Sequence, residues 1–336
     1  MMPANTAPPL LEVQNLRVQL RTPRGLVDAV RDVSFVLQQG DTLGLVGESG
    51  CGKSLTALAL MGLLPESAQV NGSIRLQGQE LVGLDDPALC HIRGNRIAMV
   101  FQEPMTALNP VHRIGHQVAE PLRRHQGLGA AAARAEALAL LERVGIPQAA
   151  QRLDQYPHQF SGGQRQRITI AMALACKPAL LLADEPTTAL DVTVQRQILE
   201  LIQGLVEEHH MGLLLISHDL GLIARNTARL LVMYGGSVVE SGPTAAVLQA
   251  AAHPYTRGLL AARPRLQPHA QWEVQRLPTI AGTVPELADL PPGCPFAGRC
   301  SWTLAHCHTE HPPSVPQATP AHSARCLRPE AMGERP

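Results

Sequence analysis

Gly47-Glu48-Ser49-Gly50-Cys51-Gly52-Lys53-Ser54 is the stretch on which the reading of this chain turns. Its spacing, Gly-x-x-x-x-Gly-Lys-Ser, is that of a loop that wraps backbone N–H groups around phosphate oxygens. Glycines permit the close approach and the dihedrals such a loop needs. The bland alternative is a Gly-rich turn. Context argues against it: the apolar run Thr42–Val46 enters the loop and a helical pattern, Lys53–Leu64, leaves it. A helix starting near Lys53 points its positive end at the same phosphates. All eight residues are therefore candidate nucleotide ligands, with Lys53 for the β/γ-phosphates and the Ser54 hydroxyl for Mg2+.

Further along, Leu180-Leu181-Leu182-Ala183-Asp184-Glu185 reads as a buried strand ending in two acids. Beside a phosphate loop, Asp184 is placed to hold Mg2+ and Glu185 to orient or deprotonate a water. Alone, this would be an ordinary solvated acidic turn. Ile97–Phe101 and Leu213–Ile216 are further buried-strand candidates. Val194, Ile198, Leu201, Ile202 and Leu205 form one helix face between two of these strands, so the pattern is that of a parallel α/β sheet. Asn109 to Cys176, including the Ala-rich stretch Ala130–Val144, reads as a helical insertion.

Composition sets limits. The 336 residues carry 28 Lys+Arg and 28 Asp+Glu, with aromatics at 3%. Zero formal charge and few rings give no basis for nucleic-acid binding. No apolar run reaches the 18 or so residues of a membrane span. Met1–Pro9 lacks the basic and apolar regions of a signal peptide. The expectation is a cytosolic chain whose cysteines are reduced or ligate metal.

Phe160-Ser161-Gly162-Gly163-Gln164 resembles the LSGGQ signature motif of ABC ATPases. Gln102 resembles the Q-loop glutamine of that family, Ala189-Leu190-Asp191 its D-loop, and His218 its switch histidine. The motifs follow the family's order across about 240 residues. The resemblance implies a P-loop NTPase fold: a nucleotide-binding domain at 10–250 with a parallel-sheet core and a helical signature subdomain at about 105–176. It implies ATP held between two such domains, head to tail. Ser161, Gly162, Gly163 and Gln164 would then meet the γ-phosphate from across the interface. Gln102 would sense Mg2+ and the γ-phosphate, His218 would position water, and Asp191 would couple the two sites. One position departs from the family. Aligned with the family's strand upstream of the loop, Leu16–Thr22 puts Leu20 where an aromatic ring is usual under adenine.

After about residue 250, Pro becomes frequent and periodicity fades, so residues 251–336 read as a separate C-terminal module. It holds Cys294, Cys300, Cys307 and Cys326, while Cys51, Cys90 and Cys176 look like small fillers. Four thiolates suit zinc or an iron–sulfur centre, but the close Cys pair of structural zinc is absent, and unrelated cysteines remain an alternative. Gly293–Cys300, His253-Pro254-Tyr255-Thr256 and Thr106–Pro110 resemble the oligopeptide/dipeptide importer ATPases. That group implies a 4Fe-4S cluster on the four cysteines. It also implies two transmembrane permease subunits, a second ATPase subunit (the same or different) and an extracytoplasmic solute-binding protein. The chain itself would sit on the cytoplasmic face of the inner membrane, without a span of its own. Its cargo would be peptides; relatives also carry glutathione, nickel or other small solutes. A soluble ABC ATPase of repair or translation is the competing class, but its paired nucleotide domains, coiled coil and basic patches are absent.

Overall fold

The computed structural model describes residues 8–188, 190–263 and 278–328. Ala189 of the D-loop pattern and most of the N-terminal stretch read for a signal peptide lie outside the described residues.

Among the described residues, twelve strands fall into two sheets. β1 (Leu11–Thr22), β2 (Gly25–Leu37), β4 (Gln69–Leu76) and β5 (Gln79–Glu80) form an antiparallel sheet in the order β2-β1-β4-β5. β3 (Thr42–Val46), β6 (Ile97–Val100), β7 (Leu180–Asp184), β8 (Gly212–Ser217) and β9 (Arg229–Tyr234) pair in parallel. β10 (Ser237–Pro243), β11 (Ser314–Pro316) and β12 (Ser323–Arg325) extend that sheet antiparallel, giving β11-β12-β10-β9-β3-β8-β7-β6. Every residue of β6, β7 and β8 is buried, which is why these strands read as unbroken apolar runs.

The helix after the phosphate loop is shorter than its apolar pattern predicts, running Lys53–Met61. Gly62 adopts φ 60°, and the Gly62 and Leu63 N–H groups close back on Ala59 and Leu58. A left-handed glycine cap satisfies the last carbonyls and ends the helix. The antiparallel sheet is the part composition and periodicity miss. Leu11, Val13, Leu16 and Val18 are buried, but the β1–β2 register shifts between Val13 and Leu16 and again before Val18. Those irregularities break the alternation by which a strand is recognised.

The expected helical insertion is present as helices Ile114–Gln126, Ala130–Arg143 and Gly162–Leu174. They close over Val118, Leu122, Ala137, Leu141 and Ile168. Among the described residues after 278, the C-terminal module has no helix beyond short 3-10 turns. It is nevertheless continuous with the rest: β12 pairs with β10, and Phe296 is buried in the main core. Buried Glu240 of β10 accepts from the Ala252 and His253 N–H groups and pairs with buried His322 at 2.8 Å. The sheet therefore runs across the boundary that composition suggests near residue 250.

Candidate active site

The phosphate loop hangs between β3 and the helix Lys53–Met61. Two of its glycines are dictated by space. A Cβ on Gly47 would lie 2.2 Å from the Met233 carbonyl oxygen, and one on Gly52, at φ 100°, would lie 2.7 Å from that of Ala29. Lys53 is buried and donates to the carbonyls of Gly47 (2.8 Å) and Glu48 (3.0 Å), so its ammonium is held inside the loop's curve. Cys51 is fully buried, and burial raises its thiol pKa, so its place in the loop does not make it a reactive nucleophile.

Asp184 ends β7 beside this loop. Burial raises its pKa, opposed by the Ser54 hydroxyl and by Lys53. Its Oδ1 is buried without a hydrogen-bond partner among the described residues. A buried, unpartnered carboxylate oxygen is costly unless something supplies positive charge. With the Ser54 hydroxyl alongside, the donor set fits a Mg2+ ion, which favours such hard oxygens.

Glu185 leaves the strand at φ 45°, rare for a residue with a Cβ. Its N–H bonds the Ile216 carbonyl, which locks the twist in place. Such a conformation persists when surrounding structure enforces it, and it clusters at functional sites. The twist brings three groups onto one carboxylate oxygen. Gln102 Nε2 donates to Glu185 Oε2 at 3.3 Å, Thr188 Oγ1 at 2.9 Å, and His218 Nδ1 lies 3.1 Å away. The structure thus brings Gln102, Glu185 and His218 together, next to Asp184 and Ser54. Thr188 is the residue the sequence reading missed. Its only local signal is its place three residues after Glu185.

The other predicted residues stand apart. Ser161 caps the helix Gly162–Leu174: its hydroxyl accepts from the Gln164 N–H, and the Gln164 side chain accepts from the Ser161 N–H. Phe160, where the family pattern has leucine, is buried under the Arg152 guanidinium, 4.2 Å from its ring centre. Gly163 packs against Val194, where a Cβ would come within 2.8 Å. Asp191 caps the helix Val192–Glu208 by accepting from the Thr193 and Val194 N–H groups. Among the described residues, no hydrogen bond joins Ser161–Gln164 to the phosphate loop.

Leu20 lines a mostly apolar groove that begins at Ser49 and Gly50 of the phosphate loop. Val27 and Ala29 form its floor with Leu20, and Val284, Pro285 and Leu287 of the C-terminal module form another wall. Arg24 pins that wall through Asp289 at 2.6 Å.

Cys294, Cys300, Cys307 and Cys326 line one pocket with Phe296, Trp302 and His253. Burial pushes the Cys294 thiol up to about 11 and raises those of Cys300 and Cys326. Burial also holds His253 neutral, its pKa lowered to about 3, and its Nδ1 accepts from the Tyr255 N–H. Among the described residues, no group of three or more Cys, His, Asp or Glu side chains stands in a metal-binding arrangement. The four cysteines line this one pocket, but not in the arrangement that the expected 4Fe-4S cluster requires.

Residues 30–188 match the ABC transporter family model, and residues 239–307 match the C-terminal region of oligopeptide/dipeptide transporters. The chain is 50% identical to a peptide import ATP-binding protein of Brucella melitensis biotype 1, covering 95% of this chain and 97% of that one. It is 51% identical to another of Brucella abortus (strain 2308), covering 95% and 94%. Among solved structures it resembles the dimeric ATP-binding cassette MJ0796 bound to ADP and Pi. That match has 28% identity and a TM-score of 0.62, covering 70% of this chain and 98% of that one. With these likenesses laid over the loop, the acidic strand end and the cysteine-bearing C-terminus, the chain belongs to the ABC transporter ATP-binding proteins of the oligopeptide/dipeptide type.

Proposed function

We propose that this chain hydrolyses ATP to power the import of dipeptides or oligopeptides across the cytoplasmic membrane. The observation that carries the hydrolytic part is the convergence of Gln102, Thr188 and His218 on Glu185, beside Asp184 and Ser54. Glu185 accepts a proton from water as its oxygen attacks the γ-phosphorus, and the bond to ADP breaks. Asp184 and Ser54 would hold a Mg2+ ion, which would supply positive charge to the phosphates. Gln102, Thr188 and His218 orient the base. Lys53 turns from the loop carbonyls to the phosphates.

Ser161, Gly162, Gly163, Gln164 and Asp191 serve the nucleotide of a second ATPase subunit. The exposure of Ser161, Gly162 and Asp191 at helix N-termini supports that reading. Among the described residues no helix is long and apolar enough to cross a membrane, so membrane attachment runs through two permease subunits. A solute-binding protein on the outer face delivers the cargo. The peptide assignment is supported by the names of the Brucella relatives and by the C-terminal family match.

We propose that the four cysteines, which do not stand in a metal-binding arrangement here, rearrange within their pocket to take up a 4Fe-4S cluster. Their convergence on one pocket supports this, as does the module's scarcity of regular structure, since a small segment of this kind needs a staple. When bound, the cluster supplies the cross-link, and the cysteines bind it as thiolates.

The test of function is reconstitution of the chain with its permeases and binding protein in liposomes. Dipeptides or oligopeptides should stimulate ATP hydrolysis and be transported. Stimulation only by a non-peptide solute would overturn the cargo, and a complex without ATP hydrolysis would overturn the enzyme.

A further inference from the structure

The C-terminal module touches the phosphate loop at one charged residue. Arg299 lies between Phe296 and Cys300, and its side chain is 7% exposed. Its guanidinium forks onto Glu48, the second residue of the loop, with Nη1–Oε2 at 2.6 Å and Nη2–Oε1 at 3.1 Å. The other hydrogen bonds reach both β9 and the module: Nη1 also donates to the Tyr234 hydroxyl at 3.4 Å. Nε donates to the Ala281 carbonyl at 2.8 Å and Nη2 to that of Gly282 at 3.4 Å. Donating to the Glu48 carboxylate raises the Arg299 pKa above its ordinary value.

Glu48 is gripped a second time. Its N–H donates to the Tyr255 hydroxyl at 2.8 Å. Tyr255, Tyr234 and Phe296 form a ring cluster with centroids 4.7–5.4 Å apart. Phe296 in turn lines the cysteine pocket. A continuous set of contacts therefore runs from the cysteines, through Phe296 and Arg299, to Glu48.

Glu48 poses a physical problem. A carboxylate one residue into a loop built to bind a polyanion repels that polyanion at short range. A bidentate guanidinium neutralises it and fixes where it points. We propose that Arg299 is a positioning residue for the nucleotide site. It holds Glu48 away from the phosphates and sets the shape of the loop, which links ATP affinity to the folded state of the cysteine-lined module. This rests on the ATPase reading above, but not on what fills the cysteine pocket.

The test is titration of the full-length protein with a fluorescent ATP analogue and Mg2+. Arg299→Met should weaken binding roughly tenfold, the scale of losing a hydrogen-bonded charge partner. Adding Glu48→Gln to it should recover most of that loss, because the uncompensated charge is then gone. A merely structural arginine would lower the melting temperature and leave the dissociation constant of the folded protein unchanged. Either an unchanged constant in Arg299→Met, or a loss that Glu48→Gln does not relieve, overturns the proposal. If Arg299→Met does not fold, Arg299→Lys carries the test. It keeps the charge but not the fork, and should weaken binding by about threefold, a shift that an intact wild-type constant would contradict. Failure of the wild-type protein to bind ATP at all would count against the ATPase reading instead.

Discussion

The nucleotide face and the cysteine-bearing module use their polar groups in opposite ways. On the nucleotide face, groups are left available. Among the described residues Asp184 Oδ1 is buried with no partner, His218 is largely exposed, and the N-terminus of the helix Gly162–Leu174 is closed by its capping box and an Arg152 contact to Gln164. Where the module meets the rest of the chain, charged groups are paired with protein partners. Arg299 makes contacts to Glu48, Tyr234, Ala281 and Gly282, and His322 and Glu240 satisfy each other in the dark of the core. Unmet hydrogen-bonding capacity marks where ligands arrive, while satisfied capacity marks where structure is held. The first region is built to change partners during turnover and the second to keep them.

Glu185→Gln strikes the first region alone and carries the largest expected effect. The amide keeps the shape and the contacts with Gln102 and Thr188 can persist, but it cannot take a proton. Steady-state hydrolysis by the assembled transporter should fall by about 10²–10⁴ while ATP binding stays intact. Phosphate release assays and nucleotide titration together check this. Wild-type turnover would remove Glu185 from the base role. A loss of ATP binding of equal size would mean that the two acids do not divide their work as proposed.

The same contrast explains what could be read from the sequence. The nucleotide site was legible because its residues sit at the ends of elements whose order is local. Gln102 follows β6, Asp184 and Glu185 end β7, His218 follows β8, and a Gly-rich loop can be recognised within eight residues. The contacts of the module are long in sequence. Arg299 meets Glu48 at a separation of 251 residues, and His322 meets Glu240 at 82. No periodicity or spacing encodes such pairs. The module therefore reads as an appendage distant from every ATP motif, whereas in space it abuts the phosphate loop. The antiparallel sheet was hidden for a different reason, since the β1–β2 register shifts erase the alternation of its strands.

Substituting serine for any one of Cys294, Cys300, Cys307 or Cys326 sharpens the comparison from the other side. A module held by its own contacts and a cluster should lose protection as a unit after about residue 285, because ligand binding and folding are coupled. Anaerobic purification of the wild type should yield iron and sulfide in equal amounts, with hydrogen exchange reporting the loss in each variant. ATP binding should survive, weakened no further than Arg299→Met weakens it. Zinc in place of iron would refute the cluster but keep the staple. A folded module with no metal would defeat both.

The smallest expected effect lies where the two regions meet. The groove beside Ser49 and Gly50 takes one wall from Leu20, Val27 and Ala29 and another from Val284, Pro285 and Leu287. It is mostly apolar and opens at the phosphate loop, which suits an adenine ring whose phosphates lie in that loop. A leucine buries the base but offers no π-face. Leu20→Tyr should add about 0.5–1.5 kcal/mol of stacking, a two- to tenfold tighter dissociation constant for ATP. Titration with a fluorescent ATP analogue measures it. The gain requires the new ring to lie flat on the floor of the groove, with the base between it and the Val284–Leu287 wall. An unchanged constant would place adenine outside the groove. A weaker one would mean that the module's wall already fills the space the ring needs, so that the base is held by the module rather than by β1.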